Sequence, residues 1–335
     1  MLRKLLPFGL RAACASVLCL GLLPQCDKKS AGNDAAPAAS PPAPSARLPV
    51  ASASAATATL PDATPDAQSD LPKARTDGCE DGMVRVEGEY CPGVIQTCEE
   101  HHPEYVARKS DPNVSERCNK YKPSKCISKE KVKLSFCMDR YEYPNKPGEL
   151  PWVLTSWIQA REKCQKLGKR LCTEDEFNLA CEGPEMLPYV YGHVRDPSKC
   201  NIDKEYRQPD QSRQMKTYLA CPDDEFCSSE MKRLDQRHKI GSTHSCVSWA
   251  GVVDMNGNVN EWVELPGKEH PHRSGLKGGW WGPVRNRCRP TVKFHKEFDY
   301  GYEAGFRCCA DAKDPGAAAD AKSPGAAPVA PSANP

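Results

Sequence analysis

The sequence predicts an α+β domain with little regular secondary structure, framed by disulfides. Three observations carry that reading. Sixteen cysteines fall between Cys79 and Cys309, an even number with no Cys-x-x-Cys pair, which argues for disulfides in an oxidising compartment rather than for zinc. Two segments carry helix capping boxes with apolar residues spaced behind them, and a strand pattern opens the domain. The long stretches between these elements hold neither a helical nor a strand period.

Taken in order, residues 1–26 start with Arg3, Lys4 and Arg11 and continue with an apolar run from Ala12 to Leu23 that is too short to span a bilayer. This is the pattern of a secretory signal peptide. Cys26, followed by Asp27, Lys28 and Lys29, resembles the lipidation cysteine of a bacterial lipoprotein, although Pro24 and Gln25 stand where such signals prefer small residues. Plain secretion is the alternative. Residues 27–77 are an Ala, Pro and Ser linker, and 312–335 a tail of the same composition. Neither can bury enough surface to offset the entropy of ordering, so both are expected to be tethers around one domain at 78–311. A formal charge of +2 on 335 residues, with no basic stripe, argues against nucleic acid as a partner.

The domain opens with MVRVEGEY, a strand pattern on Met83, Val84 and Val86 that should end near Gly88. Residues 91–135 read as a cysteine-rich insertion with Cys91, Cys98, Cys118 and Cys126, too poor in apolar residues to have a core of its own. The His101-His102 pair within it is expected on a solvated loop. Ser156 with Gln159 makes a capping box ahead of Trp157, Ala160, Cys164 and Leu167, and Gly168 closes that helix. Thr173 with Glu176 makes a second box, with Cys172 and Phe177 at the staple positions. Residues 183–245, with Cys200, Cys221 and Cys227, read as loop-rich, with little regular structure to assign.

Six blocks then stand in a recognisable order: FCMDRYEYPN at 136–145, SWIQAREKCQKLGKRLCTEDEF at 156–177, DMNGNVNEWV from Asp254, LKGGWW from Leu276, RNRCRP from Arg285 and GFRCC from Gly305. From about Gly82 to Asp311 the chain resembles the formylglycine-generating enzyme family, also called sulfatase-modifying factor. The resemblance implies a variant of the C-type-lectin fold and an oxidation of a sulfatase cysteine to an aldehyde, using oxygen and a copper ion held by two thiolates. In the family those cysteines lie five residues apart, between a Gly-Gly-Ser and an Arg-Cys that matches Arg287-Cys288. Here the same stretch reads Trp280, Trp281, Gly282, Pro283, Val284 and Arg285, none of which binds cuprous copper. Copper is therefore not expected. The resemblance further implies disulfides between Cys181 and Cys288 and between Cys164 and Cys308. It also implies calcium held by the side chains of Asp254 and Glu261 and the carbonyls of Gly257 and Val259, oxygen donors suited to that ion. As an EF-hand the stretch fails, having Val259 at the sixth position and Leu265 at the twelfth. Asn201-Ile202 resembles part of a second family calcium site.

The expected function is that of an exported protein of the bacterial cell envelope, attached to the membrane through its N-terminal lipid. It would be a non-catalytic binding or structural member of the family. Trp280 and Trp281 would fill or wall a groove that, with Arg285, offers a surface to a peptide, protein or glycan ligand, unless both tryptophans pack in the core. The alternatives are an oxidoreductase using other ligands and an accessory protein for a separate partner. His270 and His272 fall in an insertion between blocks, where a surface loop is the ordinary reading.

Overall fold

The computed structural model describes residues 74–111 and 114–313. Cys26 and the 1–26 segment lie outside the described residues, as do most of the linker and tail. In chain order the elements are β1 (Met83–Tyr90), β2 (Val94–Ile95), β3 (Cys98–His101), α1 (Pro103–Arg108), β4 (Cys118–Tyr121), β5 (Lys125–Cys126), β6 (Val132–Asp139) and α2 (Trp157–Lys166). There follow β7 (Arg170–Leu171), α3 (Glu174–Glu182), α4 (Glu225–Leu234), β8 (Asn260–Glu264), β9 (Ser274–Lys277), β10 (Ala304–Phe306) and β11 (Cys308–Asp311).

The main sheet runs β1-β6-β11-β7, and a second sheet runs β10-β8-β9 with β10 and β8 parallel. Strand β1 pairs along its whole length with β6, from Met83↔Asp139 to Tyr90↔Val132, so it continues two residues past Gly88. The vicinal cysteines of β11 explain how the sheet joins the helices. Successive side chains of a strand point to opposite faces, so Cys308 and Cys309 must seek different partners. Cys308 bonds Cys164 on α2, and Cys309 bonds Cys172 just ahead of α3. The two sulfurs enter separate core clusters, one built on Trp157, Trp262 and Phe306, the other on Val86, Phe177 and Met255.

Both capping boxes form, Ser156 with Gln159 and Thr173 with Glu176, each exchanging side-chain and backbone hydrogen bonds. Trp157, Ala160 and Cys164 give α2 its buried face, while α3 is buried over seven of its nine residues. Gly168, at φ +72°, takes the left-handed turn that ends α2.

Three sequence expectations need correction. The 183–245 stretch contains a helix, α4, which Asp224 caps by accepting from the Cys227 N–H at 2.7 Å. The insertion stops before Val132, which already pairs in β6. It also holds structure of its own: ladders β2–β5 and β3–β4, bridges Cys91–Cys126 and Cys98–Cys118, and a small buried cluster of Cys118 and Tyr121 with Tyr189. Finally, backbone bonds reach beyond 78–311, since the Arg85 N–H donates to the Arg75 carbonyl and the Lys313 N–H to that of Gly78. Among the described residues no helix is long and apolar enough to cross a membrane.

Candidate functional site

The stretch that departs from the family lies in a backbone fold set by two glycines. Gly278 and Gly279 have φ of +78° and +76°, and a Cβ on Gly279 would come within 2.7 Å of the Arg285 carbonyl. The chain therefore doubles back here, so that 280–285 forms a closed loop pinned by Asn286, whose amide donates to the Trp280 carbonyl. This turn sends the two tryptophans to different places. Trp281 is fully buried against Val153, Leu154 and Val259 and the Cys221–Cys227 bridge. As a groove wall it is a misreading, because it has no surface to offer. Trp280 is half-buried, with Tyr206 and Tyr302 beside it. Arg285 is exposed, at φ +61°, with its guanidinium 5.8 Å from the Phe294 ring centroid. Next to this region a cleft of about 550 Å³ is lined by residues including Leu154, Met215, His295, Phe298, Tyr300 and Tyr302.

Cys288 is bonded to Cys181, and the Nδ2 of Asn256 lies 3.5 Å from the Cys181 sulfur and 3.7 Å from that of Cys288. All sixteen cysteines among the described residues are in disulfides. The donor set does not fit copper, since a bridged sulfur is no thiolate ligand.

The DMNGNVNEW turn lies in an acidic cluster. Glu142, Asp254 and Glu261 are each 1–2% exposed, and the charge of one guanidinium, that of Arg307, is felt by all three. Arg307 donates to both oxygens of Glu261, at 2.6 Å from Nε and 2.7 Å from Nη2, and from Nη2 to the Val253 carbonyl at 2.9 Å. Glu142 accepts from the Asn258 Nδ2 at 2.6 Å and the Val259 N–H at 3.1 Å. Asp254 is the least satisfied: Oδ2 accepts weakly from the Gly241 N–H at 3.4 Å, and Oδ1 is buried without a partner. Burial pushes the Asp254 carboxyl up to about 7 against the pull of Arg307. Burial, and then the charges of Asp254 and Glu261, raise Glu142 as well.

Three carboxyl groups near one guanidinium, with an orphaned oxygen among them, form a site with oxygen donors to spare. Oxygen donors in surplus fit a hard divalent cation at Asp254, with Glu261 sharing its lone pairs between that ion and Arg307. The cluster is no finished cage, however. Among the described residues only Cys98, His101 and Glu116 bring three ligating side chains together, and Cys98 is spent in its bridge to Cys118.

Asn201 and Ile202 abut the same turn. The Asn201 carbonyl accepts from the Asn258 N–H at 2.9 Å, its Oδ1 is buried and unpartnered, and a Cβ on Gly257 would sit 2.2 Å from the Asn201 carbonyl oxygen. Ile202 is a core residue. The histidine pairs are accounted for locally. His101 meets Glu116 at 3.1 Å, the His102 side chain caps α1, His270 meets Glu297 at 2.9 Å and His272 meets Lys296.

Sequence reasoning missed Glu142 and Arg307. Each stood inside one of the six blocks, and a charged residue between apolar neighbours, as in Gly-Phe-Arg-Cys-Cys, was the available signal.

The chain is similar to a known family and to several known proteins. The sulfatase-modifying factor enzyme 1-like domain family matches residues 104–312. The inactive C-alpha-formylglycine-generating enzyme 2 of Bos taurus is 26% identical over 178 residues, covering 50% of this chain and 52% of its own. The chain thus spans about half the length of the curated relative it matches. Among solved structures, PvdO from Pseudomonas aeruginosa aligns with a TM-score of 0.39 at 17% identity, covering 72% of this chain and 99% of its own. CarF aligns with a TM-score of 0.38 at 15% identity, covering 68% and 97%.

Proposed function

Since the chain belongs to the sulfatase-modifying factor enzyme 1-like family and no thiolate remains where that fold would hold copper, we propose that it is an exported, non-catalytic member that binds rather than oxidises. The observation that carries this is the closed 280–285 loop: it has no cysteine, Trp281 fills the space beneath it, and Cys288 is tied to Cys181. The inactive bovine relative supports the same reading. Eight disulfides among the described residues suit an extracellular or exported setting. Metal analysis of the purified protein should find no stoichiometric copper, and a cysteine-containing peptide should draw no oxygen uptake. Copper at one equivalent together with peptide-dependent oxygen consumption would sink this reading.

Cys26 is the proposed lipid anchor. Labelled fatty acid should enter the wild type and not Cys26→Ser, which should leave the membrane fraction. Incorporation in both would assign the lipid elsewhere.

Calcium is the proposed cation at Asp254, with the Gly257 and Val259 carbonyls and a shared Glu261. Asn201, with its orphaned Oδ1, is the proposed start of a second site. A ligand that binds only the folded state stabilises it, so millimolar calcium should raise Tm and a chelator should lower it. Asp254→Asn should blunt that response. A Tm indifferent to calcium in stripped protein would leave the turn purely structural.

A further inference from the structure

A second cleft, of about 460 Å³, opens between the cysteine-rich insertion and the 194–203 loop. Among its lining residues two guanidiniums share one carboxylate. Arg195 donates to both oxygens of Asp203, at 2.8 Å from Nε and 2.7 Å from Nη2, and Arg117 donates from Nη2 to the same Oδ1 at 2.7 Å. The side chains of Arg195, Asp203 and Arg117 are only 6%, 12% and 11% exposed. Arg195 is otherwise taken up by the Pro283 carbonyl at 3.0 Å and the Asn286 Oδ1 at 2.9 Å. Arg117 is not. Its Nη1 turns to Glu104 at 2.6 Å, an acid whose side chain is 75% exposed, and its Nε is buried with no acceptor. None of these residues belongs to the six blocks that mark the family.

Asp203 answers both arginines at once, so one nearly buried positive charge is balanced only by Glu104. An exposed pair of that kind contributes little, and the guanidinium keeps donors to spare out of its five. Lys120, tied to Glu99 at 3.0 Å, adds a further cation to the lining, while the one other acid there, Glu100, is exposed and screened by water. His102 contributes a neutral donor: its Nδ1 accepts from the Glu104 N–H at 3.2 Å, which leaves the ring proton on Nε2. Beside these polar groups stand Pro197 and Val194, the latter 55% exposed, as apolar surface. A metal cation would be repelled by the guanidiniums, and a neutral guest would leave the charge of Arg117 as it is. A bare inorganic ion would leave most of the cleft unfilled. The lining suits an oxyanion, which arginine recognises through its fork of N–H groups, carried on a small organic body.

We propose that Arg117, with His102 and Lys120, binds the oxyanion of a small organic acid whose apolar part rests on Val194 and Pro197, and that Glu104 stands on Arg117 where that oxyanion would. Arg195 and Asp203 are positioning residues that hold the Arg117 guanidinium in place. The oxyanion has two possible sources, a carboxylic acid or a phosphate monoester. This inference goes beyond the non-catalytic reading and does not depend on it.

The test is calorimetric titration of the full-length protein at constant ionic strength with phenylacetate, phenyl phosphate, inorganic phosphate and phenylacetamide, the uncharged isostere of the first. At least one of the two organic acids should saturate, about tenfold tighter than phenylacetamide, and the tighter of the two identifies the source. Arg117→Gln should weaken that acid about tenfold. Glu104→Gln should tighten it about threefold by clearing Nη1, whereas Glu89→Gln, the same change of charge on β1, should leave it as it was. Should Arg117→Gln fail to fold, the comparison of Glu104→Gln with Glu89→Gln decides, since both acids are exposed. The proposal is overturned if neither acid saturates, if phenylacetamide binds as tightly as they do, or if inorganic phosphate matches phenyl phosphate. It is overturned equally if Arg117→Gln binds as the wild type does, or if Glu104→Gln does no more than Glu89→Gln. Each of those results leaves the non-catalytic reading standing, and copper with oxygen uptake would remove that reading whatever the titration gives.

Discussion

Arg307→Met is expected to lower the unfolding free energy by about 3–5 kcal/mol, the usual loss when one partner of a buried ion pair is removed. Arg307 and Glu261 are each 1% exposed and share a bidentate contact, and Glu142 and Asp254 add two more buried acids to the same space. Without the guanidinium Glu261 loses its bidentate partner, and no cation remains beside Glu142 and Asp254, which keep only their hydrogen bonds from Asn258, Val259 and Gly241. The cost therefore comes from charge left uncompensated rather than from lost packing, which Met largely preserves. Denaturant unfolding measures the loss, and the double variant Arg307→Met/Glu261→Gln should recover part of it, giving a coupling well above that of independent sites. Strict additivity of the two changes would show that the pair contributes nothing beyond its separate members.

The second large effect concerns the frame. Replacing Cys164, Cys172, Cys308 and Cys309 together by Ala should cost about 6 kcal/mol on chain entropy alone, against about 2 kcal/mol for Cys221 with Cys227. The contrast follows from the loops closed in the still-bridged unfolded chain: with Cys181–Cys288 intact, Cys164–Cys308 and Cys172–Cys309 close loops of roughly 40 and then roughly 10 residues, whereas Cys221–Cys227 spans 6. All three bridges are buried, so the difference reports the constraint on the unfolded chain more than any difference in packing. Urea unfolding of the two variants without reductant tests this. Equal losses would mean that local packing, and not chain closure, sets the value of each bridge.

How much of this was legible depended on how local each signal was. The boxes at Ser156 and Thr173 are written within four residues, so α2 and α3 could be read directly. Helix α4 could not. Its buried residues are Cys227, Glu230 and Leu234, a face with one aliphatic side chain, and Asp224 caps it without a reciprocal partner. Strands of two residues such as β2, β5 and β7 exist only because a distant segment pairs with them, and no period marks them. The acidic cluster was half legible, because Asp254 and Glu261 share one turn while Glu142 and Arg307 come from opposite ends of the domain. Two adjacent tryptophans gave no sign of which would turn inward. The reversal at Gly278 and Gly279 decides that, by setting the direction in which the chain leaves β9.

The pairing of the cysteines also sets the timetable on which the protein can be made. Cys79–Cys137, Cys91–Cys126, Cys98–Cys118, Cys200–Cys246 and Cys221–Cys227 close between segments at most 58 residues apart, so each can form as the chain emerges from its N-terminus. Cys164, Cys172 and Cys181 have to wait for Cys308, Cys309 and Cys288, which arrive 144, 137 and 107 residues later. Throughout that interval three reactive sulfurs sit among already oxidised neighbours, and every wrong bridge they form has to be reopened by thiolate attack. Vicinal Cys308 and Cys309 add a choice between partners at the very last step. Yield in a living cell is thus expected to follow the supply of disulfide isomerase more closely than the supply of oxidant, because what limits this chain is exchanging bridges and not making them.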